Sequence, residues 1–314
     1  MWIIFSIIGA LLVTALLIYF AAVISLFKRG ICRAKNEDSY TKDALVKRGL
    51  GEYADEIIEA RDEFLKNDFE DVEITSFDGL VLRGLLKIVP GARGTIILFH
   101  GYRGTPDFDF CLSEPFYEKQ GMNVLMPYQR AHGKSEGKFI TFGIRERRDV
   151  HSWIEFINKK LGYQNKIILS GLSMGASSVL MSTGKPLPEN VKGIIADCGF
   201  TSPYEIFKHV ISHYTKLPFK SLIVPFGFLC RFFAGFKIRE YSTLEALDNC
   251  RIHVFLIHGE ADTFVPPVMT QQNYDAIKSD KKLLIVSGAP HALSFVVDGE
   301  TYKSMIADTL DSLL

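Results

Sequence analysis

The chain has 314 residues, and 36 Lys and Arg face 36 Asp and Glu, so its formal net charge is zero. That balance lacks the basic excess needed to neutralise phosphates, and no nucleic-acid partner is expected. The five cysteines, Cys32, Cys111, Cys198, Cys230 and Cys250, are scattered and include no C-x-x-C pair. Neither a disulfide framework nor a zinc ribbon is indicated, and a reducing compartment is expected.

The first element stands apart from the rest. From Trp2 to Phe27 there is no charge, and only Ser6, Thr14 and Ser25 interrupt the apolar and small residues. As a helix this stretch is about 39 Å long at ~1.5 Å per residue, more than the ~30 Å of a bilayer core. Residues 1–27 are therefore expected to form a transmembrane anchor, with membrane contact through residues 2–27. A cleaved signal peptide would place basic residues before a shorter apolar run. Here Lys28, Arg29, Arg33 and Lys35 come after it. By the positive-inside rule that flank stays cytoplasmic, which makes this a single-pass protein with its large domain on the cytoplasmic side. Residues 28–70 read as a polar connector. Its second half spaces Tyr53, Ile57, Ile58 and Phe64 for an amphipathic helix, with a solvated spacer as the alternative.

Residues 71–314 read as one domain in which strands alternate with helices. Residues 71–77 and 79–89, separated by a turn at Asp78, pattern as an antiparallel pair. Short apolar runs at 95–101, 123–128, 166–171, 193–198, 253–259 and 282–288 suit parallel strands buried on both faces. Helical stretches are expected around 109–120, 144–161, 174–183, 268–279 and 300–313. The resulting class is α/β, a mostly parallel doubly wound sheet with helices on both faces. Only residues 204–248 break the alternation, and they read as an inserted cap.

Gly171-Leu172-Ser173-Met174-Gly175 is a G-x-S-x-G pattern lying directly between a strand and a helix. A serine on such a tight turn has a strained backbone, needs small neighbours, and projects its hydroxyl above the sheet over a helix N-terminus. Asp262 and His291 each lie in a loop just past a later parallel strand. Loops after parallel strands meet at the carboxyl edge of the sheet, so the three residues can converge as nucleophile, orienting acid and base. Glu260 is the alternative acid.

With these residues in view the chain resembles the α/β hydrolases over roughly residues 71–314. The resemblance implies a serine hydrolase with Ser173, Asp262 and His291 as its catalytic triad. It also implies an oxyanion hole from the backbone N–H groups of Tyr102 and Met174, with His100 shaping the loop. Residues 128–135 resemble the D-x-R-G-x-G-x-S segment of the lysophospholipase and serine-aminopeptidase-like branch through Arg130, Gly133 and Ser135. Tyr128 stands in place of its Asp, and Ala131 in place of its first Gly.

Other features carry plainer expectations. His209 and His213 are four apart, but Val210 occupies the glutamate position of H-E-x-x-H, so no metal site is expected there. Arg145 to Asp149 read as the wet face of a helix, and Cys198 as core. Residues 217–236 are rich in Phe, Leu and Pro. They serve either as packing for the cap or as an acyl pocket or lipid-facing lid. Pro218, Lys220, Pro225 and Arg231 make this stretch unfit for a second span. The expected activity is hydrolysis of a carboxylic ester, lysophospholipid or acylglycerol among them, through an acyl-enzyme and without cofactor or metal. A peptidase or aminopeptidase on the same fold and a non-catalytic membrane-anchored binding protein stay open as alternatives. Nothing in the sequence signals an oligomeric state.

Overall fold

The computed structural model describes residues 1–34, 41–47, 50–214 and 219–314. Lys35 of the basic flank and residues 215–218 of the expected cap, Pro218 among them, lie outside these. The chain opens on α1 (Trp2–Ile31), α2 (Lys42–Lys47) and α3 (Ala54–Phe64). There follow β1 (Glu70–Thr75), β2 (Val81–Lys87), β3 (Gly94–Phe99), the short α4 (Pro106–Asp109), α5 (Glu114–Lys119) and β4 (Met122–Pro127). Then come α6 (Glu146–Leu161), β5 (Ile167–Leu172), α7 (Met174–Ser182) and β6 (Val191–Asp197). The expected cap holds α8 (Pro203–Tyr214), α9 (Phe219–Leu229) with a π-helical continuation (Cys230–Ala234), and α10 (Thr243–Leu247). The chain closes with β7 (His253–Gly259), α11 (Pro267–Ala276), β8 (Lys281–Val286), α12 (Ser294–Val297) and α13 (Gly299–Leu313).

The eight strands form one sheet in the order β1-β2-β4-β3-β5-β6-β7-β8. The β1–β2 and β2–β4 pairs are antiparallel and all the others parallel. Alternation along the central strands explains why both faces are covered. Ile97, Phe99, Ile167 and Leu169 point into one core with Trp153 and Ile157 of α6. Ile96, Leu98 and Ile168 point into the opposite core with Ile306 and Leu310 of α13. A third apolar cluster joins the cap to the end of α1, with Val23, Phe27 and Ile31 packed beside Phe207 and Phe226. Strand order reverses around β3, so the loops after β3 and β5 border a crevice at the carboxyl edge, where α/β sheets bind ligands.

Three expectations need correction. The apolar helix does not stop at Phe27 but runs to Ile31. Val23, Phe27 and Ile31 fall at i, i+4 and i+8, so one stripe is buried against the cap while Lys28 and Arg29 suit the negative helix end. The connector accordingly starts docked. Arg33 N donates to Lys138 O at 2.9 Å, Ile140 N donates to Ile31 O at 2.8 Å, and Cys32 bridges Phe139. The helix expected around 109–120 begins only at Glu114, with Pro115 in its first turn, and the short α4 before it ends at Asp109. The charged run 145–149 is not a wet face. Glu146 and Asp149 are buried, Glu146 accepting from Thr141 and Gly143 while Asp149 pairs with Arg130.

Candidate active site

Ser173 caps α7 immediately after β5, with φ 54° and ψ −111°, far from any region that an L-residue favours. The flanking glycines permit this turn by close approach. A Cβ on Gly175 would lie 1.9 Å from Phe99 O, and one on Gly171 would lie 2.4 Å from the Gly175 carbonyl carbon. The turn is locked further by Ser173 N donating to Asp197 O at 2.8 Å.

His291 Nε2 lies 3.0 Å from Ser173 Oγ, and His291 Nδ1 lies 2.6 Å from Asp262 Oδ2. The structure thus brings together three residues separated by up to 118 positions, each in the loop after its own strand: β5, β7 and β8. Glu260 points elsewhere, accepting from Ser287 Oγ at 2.7 Å and from Gly288 N. Asp262 has a fully enclosed side chain whose Oδ1 accepts from Phe264 N and Val265 N, both at 2.9 Å. Its Oδ2 also meets His258 Nε2 at 3.1 Å. Burial alone would raise this carboxyl, but the hydrogen bonds from His258, His291 and the Val265 amide outweigh it and hold the group down at about 2.

His258 is the residue that sequence reasoning missed. It is completely buried, with Nδ1 2.6 Å from Thr270 Oγ1 and Nε2 2.8 Å from Val265 O. A neutral ring that accepts from the Thr270 hydroxyl and donates from Nε2 satisfies all of these partners. Its signal was the spacing His258-x-x-x-Asp262, obscured because His258 sits within an apolar strand run.

The loop after β3 is fixed on both sides of Tyr102. Gly101 N donates to Asp109 Oδ2 at 2.6 Å, and Arg103 N donates to His132 Nε2 at 3.0 Å. His100 is buried and accepts from Gln129 N at 2.9 Å, and burial lowers its pKa to about 3, so it is a neutral brace for this loop. Among the described residues no acceptor takes the Tyr102 N–H. Met174 opens α7, where the first N–H groups have no helical partner. The Tyr102 hydroxyl donates to Arg29 O and Gly30 O at 2.9 and 3.0 Å, tying this loop to the end of α1.

Two cavities meet at this point, with Tyr102 and Phe264 bordering both. The larger, about 730 Å³, reaches His291 and has Asp197 and Tyr302 in its lining. The smaller, about 100 Å³, is lined almost wholly by carbon and reaches Ser173. Asp197 is buried, bonded by the Tyr302 hydroxyl at 3.2 Å, and burial raises its pKa. Cys198 Sγ lies within 4.8 Å of the Asp262 and His291 donor atoms. Burial and the neighbouring carboxyls push its thiol well above the usual range, which makes it a poor metal ligand. His209 and His213 stack at 5.3 Å, and His209 Nε2 lies 2.8 Å from Thr263 O.

Comparisons with known proteins agree with this architecture. Residues 94–212 match the family model described as the alpha/beta hydrolase fold. An uncharacterised Bacillus subtilis protein, YqkD, is 27% identical over 250 residues, covering 78% of this chain and 82% of its own. The Pyrococcus furiosus esterase Pf2001 superimposes with a TM-score of 0.64 at 28% identity, over 80% of this chain and 93% of that one. Mouse alpha/beta hydrolase domain-containing protein 10 superimposes with a TM-score of 0.57 at 21% identity, over 79% of this chain and 100% of its own.

Proposed function

We propose that this chain, an α/β hydrolase by fold, is a membrane-anchored serine hydrolase that cleaves carboxylic esters of acyl lipids. The observation that carries the reading is the chain of hydrogen bonds from Ser173 through His291 to Asp262, built on a backbone that strains Ser173 toward the crevice. In this mechanism His291 takes the Ser173 proton as Oγ attacks the acyl carbonyl. Asp262, ionised at neutral pH, stabilises the imidazolium that forms. The Tyr102 and Met174 amides hold the oxyanion. His291 then protonates the departing alcohol, and water, deprotonated by the same imidazole, releases the acid.

Likeness to an esterase and an almost wholly apolar cavity at Ser173 favour an ester with an acyl chain. An aminopeptidase needs an ionised carboxylate to receive an ammonium group. Of the carboxyls lining the larger cavity, Asp197 suits that poorly, since burial favours its neutral form and Tyr302 already bonds it, and Asp109 is engaged by the Gly101 amide. For membrane attachment, α1 is long and apolar enough to cross a bilayer, and its last turns pack into the cap cluster. That packing supports a retained anchor over a cleaved leader, and the positive-inside rule applied to Lys28, Arg29 and Arg33 supports a cytoplasmic domain.

The test is labelling of the full chain with a fluorophosphonate. One adduct per chain is expected on Ser173, and none in Ser173→Ala. Equal labelling of that variant would remove Ser173 from the mechanism, and an unreactive but folded wild type would favour a binding protein.

A further inference from the structure

The anchor does more than tether. Its 30 residues make a helix about 45 Å long at ~1.5 Å per residue, whereas some 20 residues cross a ~30 Å hydrocarbon core. Burial follows the same division. Residues 1–18 are exposed all round, contact begins at Tyr19, whose hydroxyl donates to Ser221 O at 2.5 Å, and Val23, Phe27 and Ile31 are fully covered. Residues 19–31 of α1 are therefore a structural part of the domain, and they touch α9.

Within that docked part, Leu26 and Gly30 form one wall of the small cavity whose other walls are Phe207 and Phe226 of the cap, Tyr102 and Ser173. Across the cap, α9 and its π-helical continuation present apolar side chains to both the core and the exterior. Leu222, Phe226 and Cys230 are buried, while Val224, Phe228 and Phe232 are 74%, 64% and 71% exposed. Phe228 and Phe232 stack at 5.9 Å, and the neighbouring Phe233 meets Phe27 of α1 at 6.1 Å, so this stripe continues the apolar surface of the helix. An exposed apolar stripe flanked by the exposed Lys220 and Arg231 belongs at a lipid boundary, with its rings in the acyl region and its cations at the headgroups.

We infer that α1 is a wall of the acyl site, and that the substrate is an acyl-ester lipid of the leaflet at the end of α1. Its chain reaches Ser173 sideways between α1 and the cap without crossing water. This rests on the serine-hydrolase reading above. The leaflet supplies the ester and α9 rests on it, while Leu26 and Gly30 set the length of chain admitted. A side chain at Gly30 would meet no atom within 4 Å of its Cβ, so this position can be enlarged without displacing its neighbours.

The experiment compares p-nitrophenyl decanoate with p-nitrophenyl acetate, using the full chain in detergent micelles. Gly30→Leu and Leu26→Trp should lower the decanoate-to-acetate ratio at least ten-fold, and Leu26→Ala should move the preferred chain to greater length. Leu12→Trp, on the exposed part of the same helix, should leave the ratio at the wild-type value. In phosphatidylcholine vesicles, Phe228→Asp/Phe232→Asp should lower hydrolysis of bilayer-dissolved decanoate relative to acetate at least five-fold. A ratio unmoved by every Gly30 and Leu26 variant, or a vesicle ratio unmoved by the double aspartate, overturns the inference while acetate turnover stands. Acetate turnover that is absent in the wild type, or survives Ser173→Ala, brings down the serine-esterase reading instead, and the inference with it.

Discussion

At the scale of single residues, the proposed acid is bonded through both of its oxygens. Asp262 accepts from two amides on one oxygen and meets two imidazoles on the other, which holds it at about 2. Its folded-state pKa is depressed, so its stabilisation is present above the unfolded value near 4 and is lost as pH falls toward 2. A shift of nearly two units is worth roughly 2–3 kcal/mol. The urea midpoint of wild type should therefore exceed that of Asp262→Asn at about pH 5, with the gap narrowing by about pH 3. A gap independent of pH would show that Asp262 is not held ionised by this network. In the proposed mechanism His258, 3.1 Å from Asp262 Oδ2, acts through Asp262 as a positioning residue. His258→Leu should cost about ten-fold in kcat, the size of one hydrogen bond to a charged group at ~1.5 kcal/mol. His258→Gln, which keeps a donor, should recover part of it, whereas a purely steric role would let leucine serve better than glutamine.

At the scale of elements, the segment after β4 carries a structural role that its motif did not disclose. Arg130 is 1% exposed and forks onto Asp149 of α6 at 2.6 and 2.7 Å, and onto Asp78 of the β1–β2 turn at 2.9 and 3.1 Å. Ser135 Oγ donates to Tyr128 O at 2.6 Å and accepts from Arg83 N, and Ala131 takes φ 62° where the resembling pattern has Gly. These residues hold a hairpin, a loop and a helix together and do not touch the crevice. Arg130→Met would leave the buried Asp149 without its cation and Asp78 to Arg145 at 3.6 Å, at a cost of about 3–5 kcal/mol. A fall in melting temperature on the order of 10 °C is expected by calorimetry. Arg130→Lys cannot reproduce the two forks and should recover less than half of that loss.

The same scale shows what the sequence discloses and what it withholds. Strand ends were readable because buried parallel strands are short apolar runs, and the topology then carries Ser173, Asp262 and His291 to one edge. The role of His258 was hidden by that very rule, since a histidine inside an apolar run reads as core. The buried Glu146 and Asp149 were misread because a mixed charge run looks solvated until its partners, Arg130, Thr141 and Gly143, are in place. The face of α1 that meets the cap was beyond reach, because a helix apolar on every side gives no periodic signal to separate exposed from protein-facing residues.

At the scale of the whole molecule, the division of α1 separates two truncations that the sequence alone would treat as equivalent. Removing residues 1–18 takes away only exposed helix, and the remaining domain keeps its apolar core. Removing residues 1–31 strips Val23, Phe27 and Ile31 from the cluster that holds the cap, each worth about 1.5–3 kcal/mol of burial. It also breaks the hydrogen bonds of Tyr102 to Arg29 O and Gly30 O, which brace the loop carrying the proposed oxyanion donor Tyr102 N. In matched detergent, residues 19–314 should melt within a few degrees of the full chain. Residues 32–314 should melt at least 10 °C lower, with several kcal/mol of apolar burial gone, and bind an apolar dye strongly. Equal melting of the two fragments would mean that the end of α1 is a passive tether, and the cap would then have to be held by the sheet alone.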